Sequence, residues 1–216
     1  MFLPLVFKTS GLRCLIAGGG EVACRKLEML CGMGCAVTVI APQINNGIRR
    51  RVESDGVQWI AREYQIGDCH GFQLVVAATA QPAVNRTISE EAKTLGIPVN
   101  VVDDPELCTV IFPAVWRQGP LTIAVSTGGV APYMAAAVRD RLAAQGPQLA
   151  RWVETAARFR SAVRSESSDW DEKNVLYRQF VDAVRPDEPE DPPLSTRLSD
   201  WITWLEQIRG RRQSEP

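Results

Sequence analysis

A run of three glycines, Gly18–Gly20, separates an apolar segment from an amphipathic one, and this arrangement constrains the fold of the 216-residue chain most strongly. The apolar run LRCLIA (12–17) predicts a buried strand, and residues 21–33 carry apolar side chains at helical spacing. The next run, CAVTVIA (35–41), is rich in β-branched residues and ends at Pro42. A strand–helix–strand unit of about thirty residues predicts that its two strands pair in parallel.

The same alternation continues along the chain. Helices are predicted at 44–54 and 82–95, and short apolar strands at 57–60, 73–79 and 97–102. Strands that alternate with helices are typical of a doubly wound sheet with helices on both faces. We therefore expect an α/β domain with a Rossmann-like parallel sheet.

The pattern changes after residue 108. Residues 109–126 contain two β-rich runs joined by the turn sequence RQGP, which predicts an antiparallel hairpin. A helix is then expected at 130–144. Its apolar side is predicted to carry Val130, Met134, Val138 and Leu142.

A helical C-terminal region is predicted after Gly146-Pro147, and four of the six tryptophans fall within it. We expect helices at 147–164, 170–184 and 195–209, with the acidic, proline-rich linker PDEPEDPP (186–193) before the last one. Residues 210–216 are expected to fray. The predicted organisation is an NAD-binding domain over 1–108, a β-rich dimerisation and substrate segment with its helix over 109–146, and a helical domain over 147–216.

The composition argues against several classes of protein. Lys and Arg number 24 and Asp and Glu 25, a balance that argues against a nucleic-acid binder. No apolar stretch is long enough to cross a membrane, and the opening MFLPLVFKTS lacks the marks of a signal peptide, so we expect a cytoplasmic protein. The six scattered cysteines and the single histidine, His70, favour reduced buried thiols and a solvated loop histidine over a metal site or a histidine-based triad.

The glycine run and the residues after it read G-x-G-x-x-A, a dinucleotide-binding fingerprint. Gly18 permits the tight turn, Gly20 lets the backbone approach a pyrophosphate, and Ala23 lets the helix pack close to the sheet. The helix N-terminus then offers N–H groups and a positive dipole end to the anion. The alternative is a glycine-rich turn that serves packing alone.

One part of the fingerprint is missing. An acidic residue about twenty positions further on usually binds the adenine ribose, but here the second strand ends in Ala41-Pro42-Gln43. Gln43 could bond the ribose, and Arg49–Arg51 could favour a 2′-phosphate or form a solvated helix face. The motif alone leaves NAD and NADP both open.

Ligands of doubly wound sheets lie beyond the carboxyl ends of the strands, and three such ends carry suggestive residues. Thr79 follows two alanines that leave space beside a nicotinamide ribose, Asn100–Asp104 ends the fifth strand, and Ser126–Gly129 precedes a helix. Asp103 could act as a base there, although Asp-Asp-Pro is also a common turn sequence. Ser126 or Thr127 could equally cap the following helix, and Thr79 could simply end its strand.

The chain resembles precorrin-2 dehydrogenase, which is also the N-terminal module of siroheme synthase, over roughly residues 3–145. The resemblance rests on GGGEVACRK (18–26), VTVIAP (37–42), AAT (77–79), PVNVVDDPELCTVIFPA (98–114) and LTIAVSTGGVAP (121–132). It implies NAD-dependent oxidation of precorrin-2 to sirohydrochlorin by an intertwined homodimer, and in some members iron insertion as well.

The resemblance also implies roles for individual residues. Asp103 matches the main catalytic group of the family, and Thr127 matches a serine that lines the tetrapyrrole site. The residues expected to bind NAD are Gly18, Gly20, Glu21, Val22, Pro42, Gln43 and Thr79. Because precorrin-2 is a polycarboxylate, we expect Asn100, Thr127, Gly128 and Arg139 to contact it, and Arg117 is a further candidate.

Three readings stay open. The first is the dehydrogenase with Asp103 as general base. The second is a bifunctional dehydrogenase and ferrochelatase. The third is a regulatory module that binds NAD and performs no chemistry. No methyltransferase module is expected, and residues 165–216 match the family poorly.

Overall fold

A computed structural model describes residues 2–185 and 192–213. Five strands form one parallel sheet in the order β3-β2-β1-β4-β5. They are β1 (Arg13–Ala17), β2 (Ala36–Ile40), β3 (Gln58–Ile60), β4 (Leu74–Ala77) and β5 (Val99–Val101). The helices between them are α1 (Glu21–Gly32), α2 (Asn46–Ser54) and α3 (Pro82–Thr94). The predicted Rossmann-like doubly wound sheet is therefore confirmed.

The sheet is the centre of the first core. Residues 14–17 of β1 and 75–77 of β4 are fully buried because helices cover both faces, which explains their continuous apolar sequence. Cys14, Cys24 and Cys69 are also buried, and all six cysteines are free thiols. Burial, together with the neighbouring Cys35 thiol, raises the pKa of Cys14 to about 12, so this thiol is inert at neutral pH.

Backbone contacts divide the chain into two compact units. The first runs up to Phe112 and includes Gly128–Val130; the second comprises Pro113–Thr127 and the chain from Ala131 onward. The division falls a few residues beyond position 108, and it groups the β-rich segment with the C-terminal helices.

The second unit contains the predicted antiparallel hairpin, β6 (Ala114–Gln118) with β7 (Leu121–Val125). Four helices follow within the described part of this unit: α4 (Pro132–Ala143), α5 (Gly146–Glu166), α6 (Trp170–Ala183) and α7 (Leu198–Gln213). The last three enclose an aromatic core in which Phe159 stacks on Phe180 with ring centroids 5.0 Å apart, and Trp201 is fully buried. The glycine at the start of α5 lies against Trp116, since a Cβ there would come within 2.2 Å of the indole.

Two expectations for this unit are wrong. Residues 210–213 do not fray but continue α7 to Gln213. Val130 is not part of the apolar side of α4, because it precedes the helix and is 88% exposed; Met134, Val138 and Leu142 lie within α4 and are exposed. The acidic linker at 186–193 lies largely outside the described residues.

Among the helices of the described ranges, none has the length and apolarity that crossing a bilayer requires.

Candidate dinucleotide site and active site

A cleft of about 580 Å³ opens at the carboxyl edge of the parallel sheet, a volume typical of small-molecule sites. Residues from the ends of β1, β2, β4 and β5 meet there because the carboxyl ends of parallel strands share one edge. The lining residues are Gly18–Val22, Ile40–Gln43, Glu63, Tyr64, Ala78–Gln81, Val84, Val102 and Asp103. The cleft thus brings together all seven residues expected to bind NAD and the expected catalytic aspartate.

The glycine loop serves packing at one end and leaves open space at the other. Gly18 has a φ of +132°, and a Cβ there would lie 2.2 Å from the carbonyl oxygen of Ala78. Gly19 is equally constrained by the carbonyl of Gln43. A Cβ at Gly20, however, would meet no described atom within 4 Å. The protein's own packing explains the first two glycines and does not explain the third.

Helix α1 begins at the same place. Its N-cap is Gly20, which has no side chain, so the first turn lacks a side-chain cap. Glu21 and Val22 line the cleft at the positive end of this 12-residue helix, and the first backbone N–H groups of a helix have no partner within it. This is the arrangement in which helix N-termini bind phosphates.

Thr79 is fixed by a residue that the sequence analysis missed. The buried Asn85 of α3 accepts hydrogen bonds from Thr79 N at 3.1 Å and Thr79 Oγ1 at 2.7 Å, and donates to Thr79 O at 3.1 Å. Asn85 therefore sets the course of the chain as it leaves β4. An asparagine next to the apolar positions of α3 is the signal that could have found it.

Asp103 is the one described non-glycine residue with positive φ, at 59°. The turn around it is held on both sides. Asp104 Oδ1 accepts from Leu107 N at 3.4 Å, above a 3₁₀ turn (Pro105–Leu107), and Cys108 Sγ donates to the carbonyl of Val101 at 3.2 Å. Left-handed backbone is costly for most side chains but tolerated by Asp and Asn, and it is enriched at functional sites.

The residues expected to contact the substrate do not line this cleft. Asn100 is 7% exposed, and its Nδ2 donates to the carbonyl of Val110 at 3.1 Å, a contact within the first unit. Thr127 Oγ1 accepts from Ala131 N at 3.2 Å, ahead of α4, and Arg139 bonds the adjacent Asp140. Gly128 has positive φ and belongs to the first unit, whereas Thr127 and Arg139 belong to the second.

The electrostatics of the cleft are one-sided. The charged residues that line it are Glu21, Glu63 and Asp103, and its described lining includes no lysine or arginine. A bound pyrophosphate would have to be neutralised by backbone N–H groups and the α1 dipole rather than by side-chain cations. Within the described ranges, no group of three or more His, Cys, Asp or Glu residues is arranged to hold a metal ion.

Comparison with known proteins fits this geometry. A family model described as putative NAD(P)-binding matches residues 5–114, just over half of the chain. The chain belongs to this family. A second model, described as the central part of a sirohaem biosynthesis protein, matches residues 118–145 of the chain.

Several known proteins are similar to this chain in sequence or in structure. The siroheme synthase of Pseudomonas paraeruginosa is 41% identical over 180 residues, which is 83% of this chain and 39% of that protein. The siroheme synthase of Azotobacter vinelandii is 40% identical over 82% of this chain and 39% of its own length. The chain thus spans about two fifths of the curated relatives it matches. The solved structure of SirC, a precorrin-2 dehydrogenase, shares the fold with a TM-score of 0.67 and 20% identity, covering 97% of this chain and all of that one.

The NAD(P)-binding family implies a dinucleotide, and the cleft fits one. The open position at Gly20 and the uncapped N-terminus of α1 provide for the pyrophosphate, and the small side chains of Ala78 and Ala80 leave room beside Thr79. The remaining walls come partly from Glu63 and Tyr64, which the sequence analysis did not predict.

Tyr64 is held by a partly buried carboxylate. Its hydroxyl donates to Glu91 Oε2 at 2.5 Å, and the same carboxylate accepts from the backbone N–H groups of Gly67 and Cys69 at 3.0 Å each. Burial alone would raise the pKa of Glu91, but these hydrogen bonds outweigh burial and lower it. Glu91 thereby fixes the loop between β3 and β4, which carries exposed His70 at its tip.

Proposed function

We propose that this chain catalyses the NAD-dependent dehydrogenation of precorrin-2 to sirohydrochlorin. The observation that carries the proposal is that Asp103, in left-handed backbone at the tip of β5, lines the same cleft as the open Gly20 position. Support comes from the names of the relatives, siroheme synthase and precorrin-2 dehydrogenase. A module that only sensed NAD would have no need of an acidic residue at this point.

The reaction removes a hydride and a proton from the tetrapyrrole. NAD⁺, when bound, supplies the hydride acceptor. Gly20 and the first turn of α1 bind its pyrophosphate, and Thr79, fixed by Asn85, borders the space for the ring end of the dinucleotide. The Asp103 carboxylate accepts the proton and later releases it to water, so the products are sirohydrochlorin, NADH and a proton. Holding the two ring systems together supplies the rest of the rate enhancement.

Thr127, Gly128 and Arg139 remain our candidates for the carboxylates of the substrate: Thr127 on the strength of the resemblance, and Gly128 and Arg139 because precorrin-2 is a polycarboxylate. Asn100 is not retained as a direct contact, because its amide already serves the carbonyl of Val110. The free thiols are consistent with a reducing compartment, and we place the reaction in the cytoplasm.

We further propose that two copies of the chain associate through α4. Tyr133, Met134, Val138 and Leu142 are 74%, 47%, 40% and 43% exposed, which is an unusual concentration of apolar surface on one helix. The intertwined homodimer implied by the family resemblance would cover this face.

Incubation with precorrin-2 and NAD⁺ tests the activity directly. We expect stoichiometric NADH and the absorption spectrum of sirohydrochlorin. A protein that binds NAD⁺ but leaves precorrin-2 unchanged would be a sensing module instead. Adding ferrous iron as a second substrate then distinguishes a dehydrogenase from a bifunctional enzyme, since only the latter accelerates the appearance of sirohaem.

A further inference from the structure

The end of β2 lacks the acidic side chain that usually binds the adenine ribose, yet the same cleft has a carboxylate from another element. Glu21, at the start of α1, lines the cleft together with Gln43. Its Oε1 accepts a hydrogen bond of 2.8 Å from Nδ2 of Asn45, in the loop between β2 and α2. The carboxylate is therefore fixed at the junction of the two loops that border the adenosine half of a Rossmann site.

Asn45 makes three hydrogen bonds, of which those to Gly19 and Glu21 join the two loops and the third caps α2. Its backbone N–H donates to the carbonyl of Gly19 at 2.9 Å, and its Oδ1 accepts from Ile48 N at 2.9 Å, which caps α2. With the side-chain oxygen committed to the helix, only Nδ2 is left to face Glu21, and it can only donate. The position of the Glu21 carboxylate is thus determined by the cap of a neighbouring helix.

Two of the three arginines of α2 are engaged by residues outside the cleft. The guanidinium of Arg49 lies 5.8 Å from the centre of the Trp59 ring, and Arg51 bonds Asp55 at 2.5 Å. Arg50 borders a separate cavity of about 460 Å³ beside the cleft, together with Glu21 and Glu28. None of the three arginines lines the cleft itself.

We propose that Glu21, positioned by Asn45, selects NAD over NADP by placing a fixed negative charge where a 2′-phosphate would lie. This inference rests on the proposed function, because it assumes that a dinucleotide occupies the cleft. Glu21 accepts a hydrogen bond from a ribose 2′-hydroxyl and repels a phosphate at the same carbon. It replaces the missing acidic residue of β2 with one from the glycine loop.

Binding of NAD⁺ and NADP⁺ to the purified protein, measured by calorimetry without substrate, tests this. The wild-type protein should bind NAD⁺ more tightly. In Glu21→Gln the Kd for NADP⁺ should fall about tenfold relative to that for NAD⁺, because a like-charge contact is removed. The matched control is Glu28→Gln, an exposed carboxylate two turns further along α1, which should leave the ratio of the two Kd values unchanged.

A second variant tests the role of Asn45. Asn45→Asp keeps the acceptor that caps α2 but turns a hydrogen bond to Glu21 into a repulsion, so NAD⁺ affinity should fall several-fold. In the Glu21→Gln background the same change should cost nothing, since the new amide can donate to the new carboxylate. A merely structural role for Asn45 predicts the same loss in both backgrounds.

The outcomes separate the two proposals. If the wild-type protein binds neither dinucleotide, the proposed function fails and this inference with it. If it binds NAD⁺ and Glu21→Gln leaves the ratio unchanged, or if it binds NADP⁺ as tightly as NAD⁺, the inference alone is overturned.

Discussion

The space around each glycine of the loop shows which glycine is required for packing and which leaves room for a ligand. A methyl group at Gly18 would collide with the carbonyl of Ala78, whereas one at Gly20 would project into the cleft and touch no described atom. The sequence motif suggests both glycines equally and cannot make this distinction. It depends on how closely β4 approaches the loop.

Gly20→Ala should therefore lose cofactor and keep stability. Gly20 has φ −86° and ψ −170°, a conformation that alanine adopts, so we expect the free energy of unfolding to change by about 1 kcal/mol or less. The Kd for NAD⁺ should rise at least about tenfold, because the methyl group displaces the pyrophosphate. Gly18→Ala, in contrast, should act mainly on stability and lower the denaturation midpoint sharply. Equal loss of stability in both variants would contradict the functional assignment of Gly20.

At the scale of elements, the strands and helices of the first unit follow from apolar runs and turn residues. The loop between β3 and β4 does not, because its conformation depends on Glu91 in α3, distant in sequence. The role of Asn85 is not predictable from the sequence for a similar reason, since its hydrogen-bond partner Thr79 belongs to another element. Buried polar networks of this kind have no periodic signature in a sequence.

Glu91→Gln tests the loop anchor. The pKa of Glu91 is lowered from its ordinary 4.5, so its contribution to stability is present above that pH and is lost as the pH falls through the lower, folded-state pKa. At neutral pH we expect a loss of about 1–3 kcal/mol, because an amide cannot accept from all three donors. The deficit relative to wild type should shrink in urea titrations at about pH 4 and below.

The matched control is Glu90→Gln, the exposed neighbour on the same helix. It should change stability little at any pH. A deficit for Glu91→Gln that stays constant down to acid pH would refute the role assigned to the ionised carboxylate.

At the level of the whole protein, the sequence of one chain does not show what covers the apolar face of α4. Helical spacing correctly groups Met134, Val138 and Leu142 on one side of the helix, and the structure leaves that side exposed. Spacing shows that a face must be covered and does not show by what. A second copy of the chain is our answer.

Val138→Glu should convert a dimer into a monomer. A charge in an apolar interface lowers the association constant several-fold to many-fold. Light scattering should therefore show the molar mass halved. Val175→Glu, on the exposed side of α6, is the matched control and should stay dimeric. A monomeric wild-type protein would refute the proposed association.

We propose that Asp103 takes a proton from precorrin-2 beside the bound dinucleotide. Asp103→Asn tests it best, because asparagine tolerates the left-handed backbone at 59° that alanine would strain, and removes only the basic oxygen. The decisive measurement is single-turnover formation of NADH from precorrin-2, alongside the Kd for NAD⁺. We predict a rate reduced by about 10²-fold or more with the Kd unchanged; a wild-type rate in this variant would contradict the account.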